Sequence, residues 1–284
     1  MVRMENAQSR RSAIEASGAF VETLTLKPFQ TGALDDLTFT VKDNIDIGGH
    51  KTSFGSPSWR EDHPAATRNA LCVDQLLAAG ATCVGKVIAD EFTYSLDGEN
   101  QFFGTPLNAK APDRIPGGSS SGSASSVACG LADFSIGTDS GGSIRVPASF
   151  CGVWGMRPSL HRISDAGVLP FMPSVSTVGA VAVEFDILDR VMRVLLRSGT
   201  RPVTKLQRIV LLEDAFTLAD KPVREAAESA IELIAKRTGI AFERVSFSDI
   251  VGRDMDLTAC NGTALRNPTD DGVPKHSWRV DRKP

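Results

Sequence analysis

The chain has 284 residues, of which 42% are apolar, 23% charged and 6% aromatic, with 25 Gly and 15 Pro, a composition that excludes the disordered, collagenous and coiled-coil classes. Lys and Arg number 31 against 34 Asp and Glu, a formal charge of −3, so there is no basic footprint for nucleic acid or for an anionic membrane surface. Small-molecule chemistry is the class that remains. No segment approaches the roughly 18 consecutive apolar residues of a membrane span. The opening MVRMENAQSRRS has no apolar stretch behind it, which argues against a secretory signal and leaves an organellar transit peptide as the weaker alternative. The five cysteines, Cys72, Cys83, Cys129, Cys151 and Cys260, are odd in number, widely spaced and without a C-x-x-C pair. That pattern reads as buried reduced thiols in a reducing compartment, here the cytoplasm, and not as a disulfide or zinc framework.

The run L-T-F-T-V from Leu37 to Val41 alternates like a strand and delivers Lys42 at its end. After a Gly, Ser and Pro-rich loop, Ala70, Val73, Leu76 and Leu77 keep helical spacing, with Gly80 in the position that ends a helix and a strand from Cys83 to Ile88 next. A long irregular stretch from Asp97 leads into a small-residue helix ending near Gly130, a short apolar strand from Phe134 to Ile136, and a second Gly-rich turn from Gly137 to Ser143. Further on, Arg208 to Leu212 reads as a buried strand. Asp220 and Pro222 open a helix that keeps its period as far as Gly239, and Ile240 to Phe247 reads as another strand. Alternating strands and helices predict an α/β sandwich with a mainly parallel sheet. After Leu257 the sequence is polar and loses both periods, which predicts a disordered tail.

Two glycine-serine segments stand out. P-G-G-S-S-S-G-S-A-S-S, from Pro116 to Ser126, has the composition of a flexible linker, but it runs straight into a helix-forming segment and then an apolar strand, so it belongs to a folded unit. It lacks the G-K-[ST] and G-x-G-x-x-G patterns of phosphate-binding loops. In G-T-D-S-G-G-S-I-R-V-P-A, from Gly137 to Ala148, glycines directly precede Ser143, where backbone N–H groups can converge on one oxyanion. Ser143 as a nucleophile needs a base. The four histidines, His50, His63, His161 and His276, have no triad context and read as surface or loop residues. A lysine serves only if burial or positive neighbours lower its pKa. Lys42, behind an apolar strand, is the lysine best placed for that, although an ordinary lysine there would be solvated and paired with Asp43.

V-K-D-N-I-D-I around Lys42, P-G-G-S-S-S-G-S-A-S, and G-T-D-S-G-G-S-I-R-V-P-A-S-F-C-G-V-W-G-M-R-P-S, in that order, resemble the motifs of the amidase signature family. D-E-F-T-Y-S-L-D-G-E-N-Q-F-F-G-T-P-L-N-A from Asp90 is most similar to the compact branch that includes plant indole-3-acetamide amidases. The resemblance implies an α/β/α sandwich with a central mixed sheet flanked by helices, and a Ser-cisSer-Lys triad. In that triad Ser143 attacks the amide carbonyl, Ser119 relays its proton and Lys42 is the terminal base. It further implies an oxyanion hole from the N–H groups of Ser140, Gly141, Gly142 and Ser143, with Gly118, Asp139 and Arg145 in supporting roles.

The implied reaction is hydrolysis of a small carboxamide to acid and ammonia, with no cofactor and no metal. The expected partners are a small amide substrate and at most a second copy of the chain in a homodimer, without nucleic acid or membrane. The expected organisation is a flexible N-terminus (1–20), one amidase-signature domain (21–257) that lacks the family's C-terminal part, and an irregular tail (258–284). Two competing expectations follow: the amidase-like subunit of a glutamyl-tRNA amidotransferase, disfavoured by the missing N-terminal helical segment, and a truncated, inactive amidase-like product.

Overall fold

A computed structural model describes residues 7–197, 209–247 and 249, which fall into two compact units divided at residues 201 and 202. In the first unit the elements are α1 (Ala7–Ser17), β1 (Phe20–Leu26), β2 (Thr38–Lys42), α2 (Pro57–Asp62), α3 (Leu71–Ala78), β3 (Thr82–Val87), α4 (Ser121–Ala128), β4 (Phe134–Asp139), α5 (Arg145–Phe150), β5 (Trp154–Met156), β6 (Thr177–Ala182) and α6 (Phe185–Leu195). Their strands form a six-stranded sheet in the order β1-β3-β2-β4-β6-β5. The strands β3, β2 and β4 are parallel neighbours, whereas β1 joins β3, and β6 joins both β4 and β5, in antiparallel sense. The sheet is therefore mixed, not mainly parallel. The loop 157–176 between β5 and β6 carries no helix, and a connection without a helical crossover returns the chain antiparallel.

Alternation along the strands sends Phe39, Val41, Phe134 and Ile136 to one face, where they pack with Val73, Leu76 and Leu77 of α3 and Leu188, Val191 and Leu195 of α6. Phe39 and Phe134 are opposite each other in register and stack with ring centroids 5.3 Å apart. Thr40 and Ser135 turn to the other face. There the Thr40 and Ser126 hydroxyls lie 2.9 Å apart, and Ser135 donates to the Thr40 carbonyl at 3.0 Å. That face is covered by α4, S-G-S-A-S-S-V-A, in which Ser121 to Val127 are all buried. Its small side chains let it lie close to its neighbours. A Cβ on Gly122 would stand 2.5 Å from the Ile88 nitrogen and 2.7 Å from the Ala19 carbonyl oxygen.

Several expectations change. The N-terminal stretch expected to be flexible forms α1 from Ala7, tied down by packing on α4 and β1 and by Arg10, which donates to the Leu131 carbonyl at 2.9 Å. Strand β4 runs through Gly137 to Asp139 and is buried throughout, so the Gly-rich turn starts later than its glycine suggests. Cys72, Cys83 and Cys151 are free and buried, and Cys129 is free and partly buried. Burial pushes the first three thiols up to about 12, which removes them as nucleophiles at neutral pH. Among the described residues no helix is long and apolar enough to cross a membrane.

The second unit pairs β7 (Ile209–Leu212) with β8 (Phe242–Val245) in parallel, joined through α7 (Glu213–Leu218) and α8 (Lys221–Thr238). Gly239 caps α8 in a left-handed conformation, φ 69°. Strand β7 is half-buried along its length, not buried as its apolar run suggests. The stretch read as one domain thus contains two units, because an unbroken strand-helix rhythm does not reveal where contacts lapse. The tail 258–284, with Cys260 and His276, lies outside the described residues.

Phe39→Ala removes half of the stacked pair at the centre of the sheet and is expected to cost about 3 to 5 kcal/mol, read as a lower urea midpoint. Phe29→Ala, at a ring that is 62% exposed, is expected to stay within about 0.5 kcal/mol.

Candidate active site

Strand parity decides where Lys42 goes. Phe39 and Val41 face α3 and α6, so Lys42, two residues beyond Thr40, points with it toward α4. Strand β2 ends at Lys42 and β4 at Asp139, at the carboxyl edge of the parallel strands, where open α/β sheets place their ligands. The Lys42 side chain is fully buried. Its Nζ donates to Ser119 Oγ at 2.7 Å, to Thr138 Oγ1 at 3.1 Å and to the Thr138 carbonyl at 3.5 Å. The neighbouring acid, Asp43, is not its partner: it pairs with Lys86 at 2.8 Å, both side chains being buried, and accepts from the Ser53 hydroxyl. Burial lowers the Lys42 pKa to about 7, against the opposing pull of the Asp90 and Asp139 charges.

Ser119 is positioned by the segment that enters α4. Gly117 N–H donates to the Asp97 carbonyl at 3.1 Å, Gly118 N–H to the Leu96 carbonyl at 2.8 Å, and Asp90 N–H to the Ser119 carbonyl at 3.2 Å. Gly117 has φ 74° and the Gly118–Ser119 peptide is cis. A Cβ at position 118 would lie 2.1 Å from Asp90 Oδ2, so any side chain there displaces the Asp90 carboxylate.

Ser143 sits in the turn between β4 and α5, and Asp139 organises that turn. The Asp139 carboxylate accepts from the Gly142 N–H at 3.0 Å, the Ile144 N–H at 3.1 Å, Arg145 at 2.9 and 3.0 Å, and Arg157 at 2.9 Å. Burial alone would raise its pKa, but the bonds from Arg145, the Ile144 N–H and Arg157 outweigh burial and bring it to about 2. The turn is tied to the Ser119 segment by Ser120 N–H, which donates to the Ser143 carbonyl at 3.2 Å. Among the described residues no hydrogen bond joins the Ser143 and Ser119 hydroxyls. Such contacts commonly tighten only when substrate is bound.

The structure therefore brings Lys42 and Ser119 into direct contact, with Ser143 on the adjoining turn. Asp139 and Arg145 form an ion pair at 2.9 Å. Gly142 is a correction: its N–H is engaged by Asp139, because a carboxylate at the end of β4 satisfies the first donors of the turn. The Asp139 carboxylate makes no such bond to the N–H groups of Ser140, Gly141 and Ser143 among the described residues. Sequence reasoning gave no role to Arg157, Thr138 or Asn44. Arg157 is the second guanidinium on Asp139 and lies inside the G-M-R-P-S that ends the third motif. Asn44 donates to Thr138 Oγ1 at 3.2 Å and to the Leu169 carbonyl at 3.1 Å, and it stands in the V-K-D-N of the first motif.

His50 is held by Glu22 at 2.7 Å, His63 stacks on Trp59, and neither approaches the serines. Among the described residues no cluster of His, Cys, Asp or Glu could hold a metal ion. A cavity of about 20 Å³ lies beside Asn44, Thr138 and Leu169. A surface groove of about 630 Å³, lined by Arg10, Arg11, Glu15 and Glu22, includes none of the candidate residues. Leu96 lies against the Ser143 turn, 3.5 Å from a Cβ placed on Gly142, and Tyr94 packs on Phe171 with ring centroids 5.4 Å apart.

Because the folded-state pKa of Asp139 is depressed, its stabilisation is complete above the unfolded value of about 4 and is lost as pH falls toward about 2. Asp139→Asn is expected to be less stable than the parent at pH 7, with the difference shrinking from pH 4 downward, as measured by urea unfolding across that range.

The Amidase family model matches residues 8–249. Amidase 1 of Arabidopsis thaliana is 42% identical over 244 residues, covering 84% of this chain and 57% of that protein. Translocon at the outer membrane of chloroplasts 64 of Pisum sativum is 38% identical, covering 87% of this chain and 43% of that protein. The crystal structure of a glutamyl-tRNA(Gln) amidotransferase subunit from Thermotoga maritima superposes with a TM-score of 0.74 at 26% identity, covering 86% of this chain and 58% of that one. The chain thus spans about half the length of these proteins. With the family model matching most of its length and the mixed sheet and ordered motifs in place, the chain belongs to the amidase signature family.

Proposed function

We propose that the chain is an amide hydrolase that converts a small carboxamide to the acid and ammonia through an acyl-enzyme on Ser143, with Ser119 and Lys42 as the proton relay. The observation that carries this reading is the contact of a fully buried lysine amine, 2.7 Å from Ser119 Oγ, whose pKa of about 7 leaves much of it unprotonated at neutral pH. Such an amine accepts a proton where an exposed lysine cannot.

In this mechanism Ser143 Oγ attacks the carbonyl carbon while its proton passes to Ser119 and the Ser119 proton passes to Lys42. The N–H groups of Ser140, Gly141 and Ser143 take the developing oxyanion. The C–N bond breaks, the proton returns from Lys42 through Ser119 to the leaving nitrogen, and ammonia departs. Water then attacks the ester, gives one proton to the relay, and Ser143 recovers it as the acid leaves. The apolar Leu96 against the turn supports a substrate with an apolar acyl group. A cytoplasmic location belongs to the same proposal, supported by the free cysteines.

A second reading, a component of an ammonia-transferring complex, has the structural likeness to the Thermotoga maritima amidotransferase in its favour. Co-purification of partner chains distinguishes it from a free-standing hydrolase.

Ammonia release from a panel of primary aryl- and alkylamides is expected to fall at least about a thousandfold in Ser143→Ala. Equal rates for the two proteins overturn the proposal. Because Lys42 must be unprotonated to act, kcat/KM is expected to rise with pH to a plateau above about 7 and to drop about tenfold per unit below it. A profile flat from pH 5 to 9 removes Lys42 as the base.

A further inference from the structure

The Lys42 amine feels two carboxylates, Asp90 and Asp139, and they differ in what else holds them. Asp139 is bonded by the guanidinium groups of both Arg145 and Arg157. Asp90 stands just past the end of β3, whose Val87 is the register partner of Lys42, and is 1% exposed. Its Oδ2 accepts the Gly98 N–H at 3.2 Å, while Oδ1 is buried without a hydrogen-bond partner. Among the described residues no guanidinium or ammonium bonds it. Its backbone N–H holds the Ser119 carbonyl at 3.2 Å, and its carboxylate lies so close to Gly118 that a side chain there would displace it.

A buried carboxylate with an unpaired oxygen is costly unless a nearby charge compensates it, and the cation that interacts with it is Lys42. The other charged groups around the pair are accounted for. Asp43 is closed on Lys86. Asp97, on the segment after the turn Glu91–Thr93, adds like charge, whereas hydrogen bonding from Ser95 favours the ionised Asp90 carboxylate.

We propose that Asp90 is a positioning residue of the relay: its backbone holds Ser119, and its buried carboxylate, bonded to no cation and set against Gly118, governs whether Lys42 carries a proton. This rests on Lys42 and Ser119 acting as the relay proposed above. Asp90 favours the protonated amine and so holds back the supply of base, while keeping the proton available for the leaving nitrogen. The raised pKa of Asp90, caused by burial and countered by Lys42, is the other side of the same coupling.

The test follows Lys42 itself, by carbon-detected NMR of protein labelled at the lysine Cε, with the resonance assigned by its loss in Lys42→Met. In Asp90→Asn, which keeps the size and an acceptor for Gly98, the Lys42 midpoint is expected to fall by about one pH unit. The acid limb of kcat/KM moves with it, a shift that a merely structural role would not produce. An unchanged midpoint in folded Asp90→Asn overturns the proposal. If that variant does not fold, the reciprocal measurement decides: in Lys42→Met the Asp90 carboxyl midpoint rises relative to the parent, and no rise overturns the proposal. Failure of the hydrolase reading is distinguishable, because it shows as absent Ser143-dependent ammonia release with the Lys42 shift still present.

Discussion

The candidate site depends on one constraint: the Lys42 amine is held out of water against Ser119. A solvated lysine is an acid at neutral pH, and only desolvation on this scale turns it into a base. The surrounding structure reads as the means of maintaining that state. The adjacent acid, Asp43, is taken up by Lys86, so it does not lock Lys42 as an ammonium. The carboxylate at the end of β4 is neutralised by two guanidinium groups, which weakens its field at the amine. Thr138 gives the amine further bonds without adding charge.

The same constraint explains the serine and glycine content that otherwise resembles a linker. For Ser119 to reach a residue buried at the end of a central strand, the helix behind it must lie almost on the sheet. Helix α4 achieves this with small, buried residues; Ser123 donates to the Ile136 carbonyl of the sheet and Ser126 to the Ser123 carbonyl of the helix itself. Bulky residues would add apolar burial and push Ser119 away. Close approach by small residues is one of the few packings that keeps both the serine contact and the dry environment of the lysine.

Much of this was legible in the residues. The alternation of L-T-F-T-V puts Lys42 at a strand end, and the ordered motifs around Lys42, Ser119 and Ser143 carry the family. The spacing of α3 and α8 follows from their apolar period. What escaped detection had weak local signal. Strand β5 is only three residues long, Trp154–Met156, and β6, T-V-G-A-V-A, is buried on both faces and shows no alternation, so the residue pattern alone suggests a mainly parallel sheet and the mixed sheet follows only from the family resemblance. The helix α1 is helical in pattern only weakly and is fixed by what it packs against.

The sequence by itself determined the family, the identity of the candidate triad and the strand parity that turns Lys42 inward, because these reside in short contiguous segments and in a period of two. The tertiary structure alone decided which groups meet. It sent Asp43 to Lys86 and away from Lys42, occupied the Gly142 N–H with Asp139, placed Arg157 on the same carboxylate, and set the buried Asp90 carboxylate against Gly118. Each of these is a contact that folding makes, most of them between segments far apart in the chain. The charge of a buried amine depends on the sum of such contacts, which no single stretch of sequence contains.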